Sequence, residues 1–136
     1  MRRGNGALLL VVLLLLGCHS KEEKQSDGIT VHERVNQIIN MEISDVDPSR
    51  VPDGNYTGEV PFMRHLYRVK VTVESGRIEK IDVLENGTEN EYARKGLGVI
   101  PRIMNEQSPR VDAITGATVT SRALMKCVEK ALKKSR

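Results

Sequence analysis

Leu66-Tyr67-Arg68-Val69-Lys70-Val71-Thr72-Val73-Glu74 is followed by Ser75-Gly76 and then by Arg77-Ile78-Glu79-Lys80-Ile81-Asp82-Val83-Leu84. In the first run Tyr67, Val69, Val71 and Val73 alternate with Arg68, Lys70, Thr72 and Glu74. A period of two places the apolar set on one face of a strand and the polar set on the other. Ser75-Gly76 predicts a tight turn, and Ile78 to Leu84 predicts the returning partner strand. The apolar phase slips between Ile78 and Ile81, which predicts a bulge near Glu79-Lys80.

Upstream of this hairpin, Tyr56-Thr57-Gly58-Glu59-Val60 reads as a further short strand, ended by Pro61. Asp45 to Gly54 carries two prolines and a glycine and reads as a turn-rich join. Before it, Val31, Val35, Ile38 and Met41 recur at helical spacing, with Thr30 and Glu33 as a capping-box signature. Downstream, Glu89 to Gln107 reads as helix interrupted at Gly96 and Gly98, with Pro101 in the first turn of a second helix. Ile100, Ile103 and Met104 are its predicted core face. Val111 to Ser121 reads as a loop and Arg122 to Lys134 as the last helix. Its apolar stripe is Ala123, Leu124, Cys127, Val128, Ala131 and Leu132. Cys127 in that stripe is a predicted core residue, and Lys130, Lys133, Lys134 and Arg136 suit a helix C-terminus. The fold class is α+β, a small antiparallel sheet packed with helices.

Composition narrows the function. The chain has 136 residues, enough for one small domain and a short appendage. Aromatics are 3%, namely Tyr56, Phe62, Tyr67 and Tyr92, too sparse for a base-stacking platform. Bases exceed acids by 21 to 18, and without Arg2 and Arg3 the excess falls to one. So neutral a body has little field with which to attract phosphate polymers, and no nucleic-acid partner is expected. Cys18 and Cys127 are too few for a disulfide framework or a four-cysteine zinc site, and no metal site is expected.

The N-terminus reads as an address. Arg2 and Arg3 precede an apolar run from Ala7 to Leu16, too short to span a bilayer and suited to a secretory signal. Leu15-Leu16-Gly17-Cys18 resembles the bacterial lipobox, which implies cleavage before Cys18 and acylation of its thiol. Several acyl chains anchor stably where one is marginal. His19 to Gly28 has no apolar residue and reads as a tether. The organisation is therefore a lipoprotein signal peptide over 1–17, tether and N-terminal helix over 18–50, and the folded domain over 51–136. In a bacterial cell the glycosylation-like Asn55-Tyr56-Thr57 and Asn86-Gly87-Thr88 carry no weight.

Asp112-Ala113-Ile114-Thr115-Gly116-Ala117-Thr118-Val119-Thr120-Ser121 is small and hydroxyl-rich at the entry to a helix. Glycine allows close backbone approach, and a helix N-terminus favours an anion. An ordinary Ser/Thr-rich helix cap would read the same way. The stretch resembles the flavinylation motif of the FMN-binding domain family. The likeness runs from about Val51 to Leu132 and takes in Asp53-Gly54-Asn55-Tyr56-Thr57-Gly58, the hairpin and Ile100-Pro101-Arg102-Ile103-Met104-Asn105-Glu106-Gln107-Ser108.

The resemblance implies covalent FMN, held as a phosphoester on Thr118 by a separate magnesium-dependent flavin transferase that uses FAD. Asp112, Thr115, Gly116 and Ala117 match motif positions that support recognition or geometry; Thr120 or Ser121 matches the downstream hydroxyl. No catalytic residue is expected, since a threonine hydroxyl is a weak nucleophile and no base accompanies it. Larger relatives carry a His-x-Glu-Thr-like stretch after the second strand, where this chain has Glu85-Asn86-Gly87-Thr88-Glu89. Tyr56, Phe62, Met63, His65 and Tyr67 could approach a flavin ring but are not assigned as sites. The expected function is electron transfer by a lipid-anchored flavoprotein of the bacterial envelope, between a donor and an acceptor not identified by sequence. The alternatives are a non-redox or degenerate FMN-binding module and an accessory domain of a flavin reductase. The chain is too short for a separate nicotinamide domain, which favours a carrier over a stand-alone enzyme.

Overall fold

The computed structural model describes residues 28–87 and 89–135. It separates Met1–Thr30 from a compact unit, Val31–Arg136. Of the first, Gly28, Ile29 and Thr30 are described, and all three are exposed. The predicted signal peptide, Cys18 and Arg136 lie outside the described residues.

The compact unit is α+β. Helix α1 (Val31–Ile39) precedes a single 3₁₀ turn at Pro48–Arg50, and strands β1 (Gly54–Phe62), β2 (His65–Glu74) and β3 (Arg77–Asn86) follow. Helices α2 (Glu91–Gly96), α3 (Val99–Glu106) and α4 (Thr118–Lys133) complete it. The strands form one antiparallel sheet in the order β1-β2-β3.

The hairpin forms as its alternation requires. Tyr67, Val69, Val71 and Val73 are buried, and the residues between them are only partly so. Ser75 and Gly76 both have positive φ, 53° and 76°, the pair that a type I′ hairpin turn needs. Val73 faces Ile78 and Thr72 faces Lys80, so Glu79 is the extra residue of a bulge. A second irregularity falls where Arg68 faces Glu85 and Val69 faces Val83. It turns Leu84 outward, 50% exposed. Two adjacent apolar residues, Val83 and Leu84, hide that second phase change in the sequence.

β1 is longer than expected and runs through Pro61, which pairs with Leu66. β1 is an edge strand, so the missing proline N–H can fall on the unpaired side. The opposite edge, β3, meets a side chain instead of a strand. Gln107 accepts from the Ile78 N–H at 2.7 Å and donates to the Ile78 carbonyl at 3.1 Å. One amide thus satisfies both backbone groups of a strand residue.

The helices are displaced from their sequence reading at two points. α1 packs on α4 and buries Ile38, but Val31 is 57% exposed, so its apolar stripe is covered only at one end. α4 begins at Thr118 rather than Arg122. Thr118-Val119-Thr120 is a β-branched run of modest helix propensity, and burial of Thr120 and Ser121 overrides it. α2 and α3 divide near Gly96 and Gly98 as expected, with Pro101 in the first turn of α3. Ile103 is fully buried, Ile100 and Met104 partly so, and Val99 joins them in the core.

α4 crosses β1 and β2 and carries the core stripe: Ala123, Leu124, Cys127, Val128, Ala131 and Leu132 are all buried. Gly58 lets the two layers meet, since a Cβ there would lie 1.8 Å from the Cys127 carbonyl oxygen. The Cys127 thiol donates to the Tyr67 carbonyl at 3.3 Å, and burial pushes its pKa up to about 12. Glu129 is a buried carboxylate on this helix, bridged by Lys126 at 2.8 Å and Lys133 at 2.7 Å. Burial works to raise its pKa; the hydrogen bonds and charges of the two lysines outweigh that and hold it below the usual range. The same lysines reach the Glu42 carbonyl and the Ser44 hydroxyl. Ile43, Val46 and Val51 of that preceding segment complete the core.

Candidate functional site

The loop from Val111 to Ala117 is held at each end by a polar side chain. Arg102 of α3 donates through Nη1 to the Asp112 carbonyl at 2.9 Å and the Ala113 carbonyl at 3.2 Å. Ser121 of α4 accepts from the Ile114 N–H at 3.0 Å and donates to the Ala117 carbonyl at 2.7 Å. Between these anchors the Ala117 N–H closes a turn on the Ile114 carbonyl at 3.0 Å. Gly116 has φ of 82°, in the position where a type II turn demands a positive value. The turn delivers the chain into α4, with Thr118 as the first helical residue.

Exposure sorts the hydroxyls of this stretch. Thr120 is 5% exposed, with its Oγ1 3.5 Å from the Tyr67 hydroxyl, and Ser121 is fully buried in the bonds just described. Thr115 and Thr118 are exposed, as are Asp112 and Gly116, while Ala117 is buried. The first bond of the helix runs from the Ser121 N–H to the Ala117 carbonyl at 3.0 Å. The amides of Thr118, Val119 and Thr120 precede it, so the N-terminal end of α4 presents donors beside Thr118. The sequence brought seven residues to this site. The structure places Asp112, Thr115, Gly116 and Thr118 at its surface and makes Ala117, Thr120 and Ser121 its support.

Helix α2 supplies a cation that the sequence did not single out. A Cβ on Gly96 would lie 2.5 Å from Thr120 Cγ2, so α2 packs directly on the first turn of α4. The neighbouring Lys95 extends over Gly116, where a Cβ would be 3.0 Å from its Nζ. The only sequence sign of this is that Lys95 adjoins a glycine. Arg102 was likewise missed, because nothing in its own surroundings ties it to a loop ten residues later.

Other features fall elsewhere. A cavity of about 840 Å³ is lined by Glu42, Arg102, Arg110 and Arg122 among others, and it meets the loop only at Val111 and Asp112. It includes none of Thr115, Gly116, Ala117 and Thr118. Tyr56 donates to the Pro52 carbonyl at 2.6 Å, and Phe62 packs against Tyr67 with ring centroids 6.2 Å apart. Met63 and His65 are exposed. Among the described residues no group of His, Cys, Asp and Glu could hold a metal ion, and no helix is long and apolar enough to cross a membrane.

An exposed threonine at a helix N-terminus, a preceding glycine that keeps the approach open, and a nearby ammonium suit a phosphate group. The residues present therefore fit FMN at its phosphate end. An uncharacterized protein of Treponema pallidum (strain Nichols) is 34% identical over 86 residues, which cover 62% of this chain and 24% of that relative. The chain thus spans about a quarter of that relative's length. No solved structure matches. The model of the FMN-binding domain family matches residues 67–133, from the buried strand β2 to the last residue of α4, and the domain built from them belongs to that family.

Proposed function

We propose that this protein carries FMN covalently on Thr118 and serves as an electron carrier anchored outside the cytoplasmic membrane of a bacterium. The observation that carries the attachment site is the sorting of hydroxyls: Thr118 is exposed at the mouth of α4, while Thr120 and Ser121 are buried within the support. Thr115 is also exposed, but it lies before Gly116 and not at the helix end.

In the attachment step, catalysed by a separate transferase, the Thr118 hydroxyl attacks the FMN phosphorus of FAD. The Oγ–P bond forms, the pyrophosphate P–O bond breaks, AMP leaves, and the hydroxyl proton passes to a base of the transferase. The remaining phosphodiester carries one negative charge. The α4 N-terminus stabilises such a charge by ~0.3–1 kcal/mol, too little to retain a cofactor without the covalent bond. When bound, the flavin supplies the redox chemistry, and the chain supplies position and electrostatics. Arg102 and Ser121 hold the loop, and Gly116 sets its direction.

The envelope location rests on the Arg2-Arg3 start, the apolar run and Leu15-Leu16-Gly17-Cys18. Covalent attachment suits such a compartment, where a dissociated cofactor diffuses away. Co-expression with a flavin transferase followed by peptide mass spectrometry tests the site. The expected result is FMN on Thr118, with loss of denaturation-resistant flavin fluorescence in Thr118→Ala. FMN on Thr115 or Thr120, or fluorescence retained in Thr118→Ala, would overturn it.

A further inference from the structure

The outer face of α2, with Glu91, Tyr92, Arg94 and Lys95, is exposed and borders the attachment site. Lys95 reaches over Gly116, two residues before Thr118. It has neither an acidic partner nor a side-chain hydrogen bond among the described residues. An ammonium held beside a loop with no counter-charge is suited to an anion arriving from outside. Three residues earlier on the same helix stands Tyr92, 66% exposed. Residues three apart share a helix face, at about 5–6 Å between Cβ atoms, a gap that a ribityl chain bridges. Tyr92 differs from the other aromatic residues, since Tyr67 is buried and Tyr56 and Phe62 are partly buried. The close packing of Gly96 on Thr120 fixes this face relative to the start of α4.

We propose that the outer face of α2 receives the flavin attached at Thr118, with Lys95 set against the phosphodiester and Tyr92 stacked on the isoalloxazine ring. The assignment rests on the attachment reading above. It gives the exposed aromatic and the ammonium one shared task. A tyrosine face offers the offset stacking that a flat heteroaromatic ring accepts. Both side chains are at the surface, so each can be replaced without opening the core.

The test uses the full chain co-expressed with a flavin transferase, and compares wild type with Tyr92→Leu and Lys95→Gln. Peptide mass spectrometry first establishes whether FMN is on Thr118. In loaded wild type, stacking on tyrosine quenches flavin emission, so Tyr92→Leu should raise the fluorescence yield severalfold and expose the ring to iodide. Thermal melting supplies the second measurement. Loading should raise the Tm of wild type, Lys95→Gln should reduce that gain, and Lys95→Arg should retain it. Absence of FMN from Thr118 in wild type removes the attachment reading, and this assignment with it. Loaded Tyr92→Leu with unchanged fluorescence and iodide access overturns the assignment alone, as does a loading-induced Tm gain unaffected by Lys95→Gln.

Discussion

At the scale of single residues, three positions carry chemistry that can be measured without knowing any partner. Gly116 has φ of 82°, and a Cβ there would crowd Lys95. Gly116→Ala should therefore cost about 1–2 kcal/mol, the penalty of a left-handed conformation for an L-residue. Chemical denaturation of the unloaded protein reads this directly, and an unchanged midpoint would mean the turn re-forms in another geometry. Cys127 is fully buried and its pKa is pushed up to about 12. Thiolate is the reactive form, so a thiol reagent should label Cys127 only as fast as the protein unfolds, and denaturant should release the reaction. Glu129 is the third. Its folded pKa is held below the unfolded value of about 4.3, so its stabilisation is complete above that pH and is lost as pH falls through the folded pKa. Glu129→Gln should lower stability by about 1–3 kcal/mol at neutral pH. The difference from wild type should shrink as pH drops below about 4. A difference constant down to acid pH would show that the carboxylate charge is not what Lys126 and Lys133 recognise.

At the scale of elements, the arrangement depends on two close approaches. Gly58 lets β1 meet α4 at the Cys127 carbonyl, and Gly96 lets α2 meet α4 at Thr120. Backbone cannot retreat as a flexible side chain can, so Gly58→Ala must push the sheet and helix apart. Overpacking of this kind costs ~1–3 kcal/mol and sometimes more. A thermal melt should show a clear loss for Gly58→Ala, and a wild-type Tm would mean that β1 and α4 shift without cost. Much of this level was legible from spacing. The alternation of β2, the Ser75-Gly76 turn and the slip at Glu79 are local, and they survive in the structure because one face is buried. The start of α4 was not legible. Thr118-Val119-Thr120 has no strong preference for helix, and only the packing of Thr120 and Ser121 draws the helix back to Thr118. That shift matters, because it places Thr118 at the end of the helix dipole instead of inside a loop.

At the scale of the whole molecule, the testable consequence lies at Cys18. Cys18→Ala should leave the precursor unlipidated and move it out of the membrane fraction, as metabolic labelling with a fatty acid can follow. A labelled Cys18→Ala protein would end the lipoprotein reading. The sequence by itself determined the sheet and its fold class, the family, and the identity of the motif hydroxyls. These reside in runs of neighbouring residues, where period, turn chemistry and motif order are all local. Tertiary structure alone decided which hydroxyls face solvent and which support them. It also decided that Arg102 and Gln107 serve the loop and the β3 edge, and that Lys95 stands over Gly116. Each of those relations joins residues far apart in the chain, and their distances are set by how α2, α3 and the sheet pack around α4. No local pattern encodes such a distance, because it exists only once the buried faces have closed on one another.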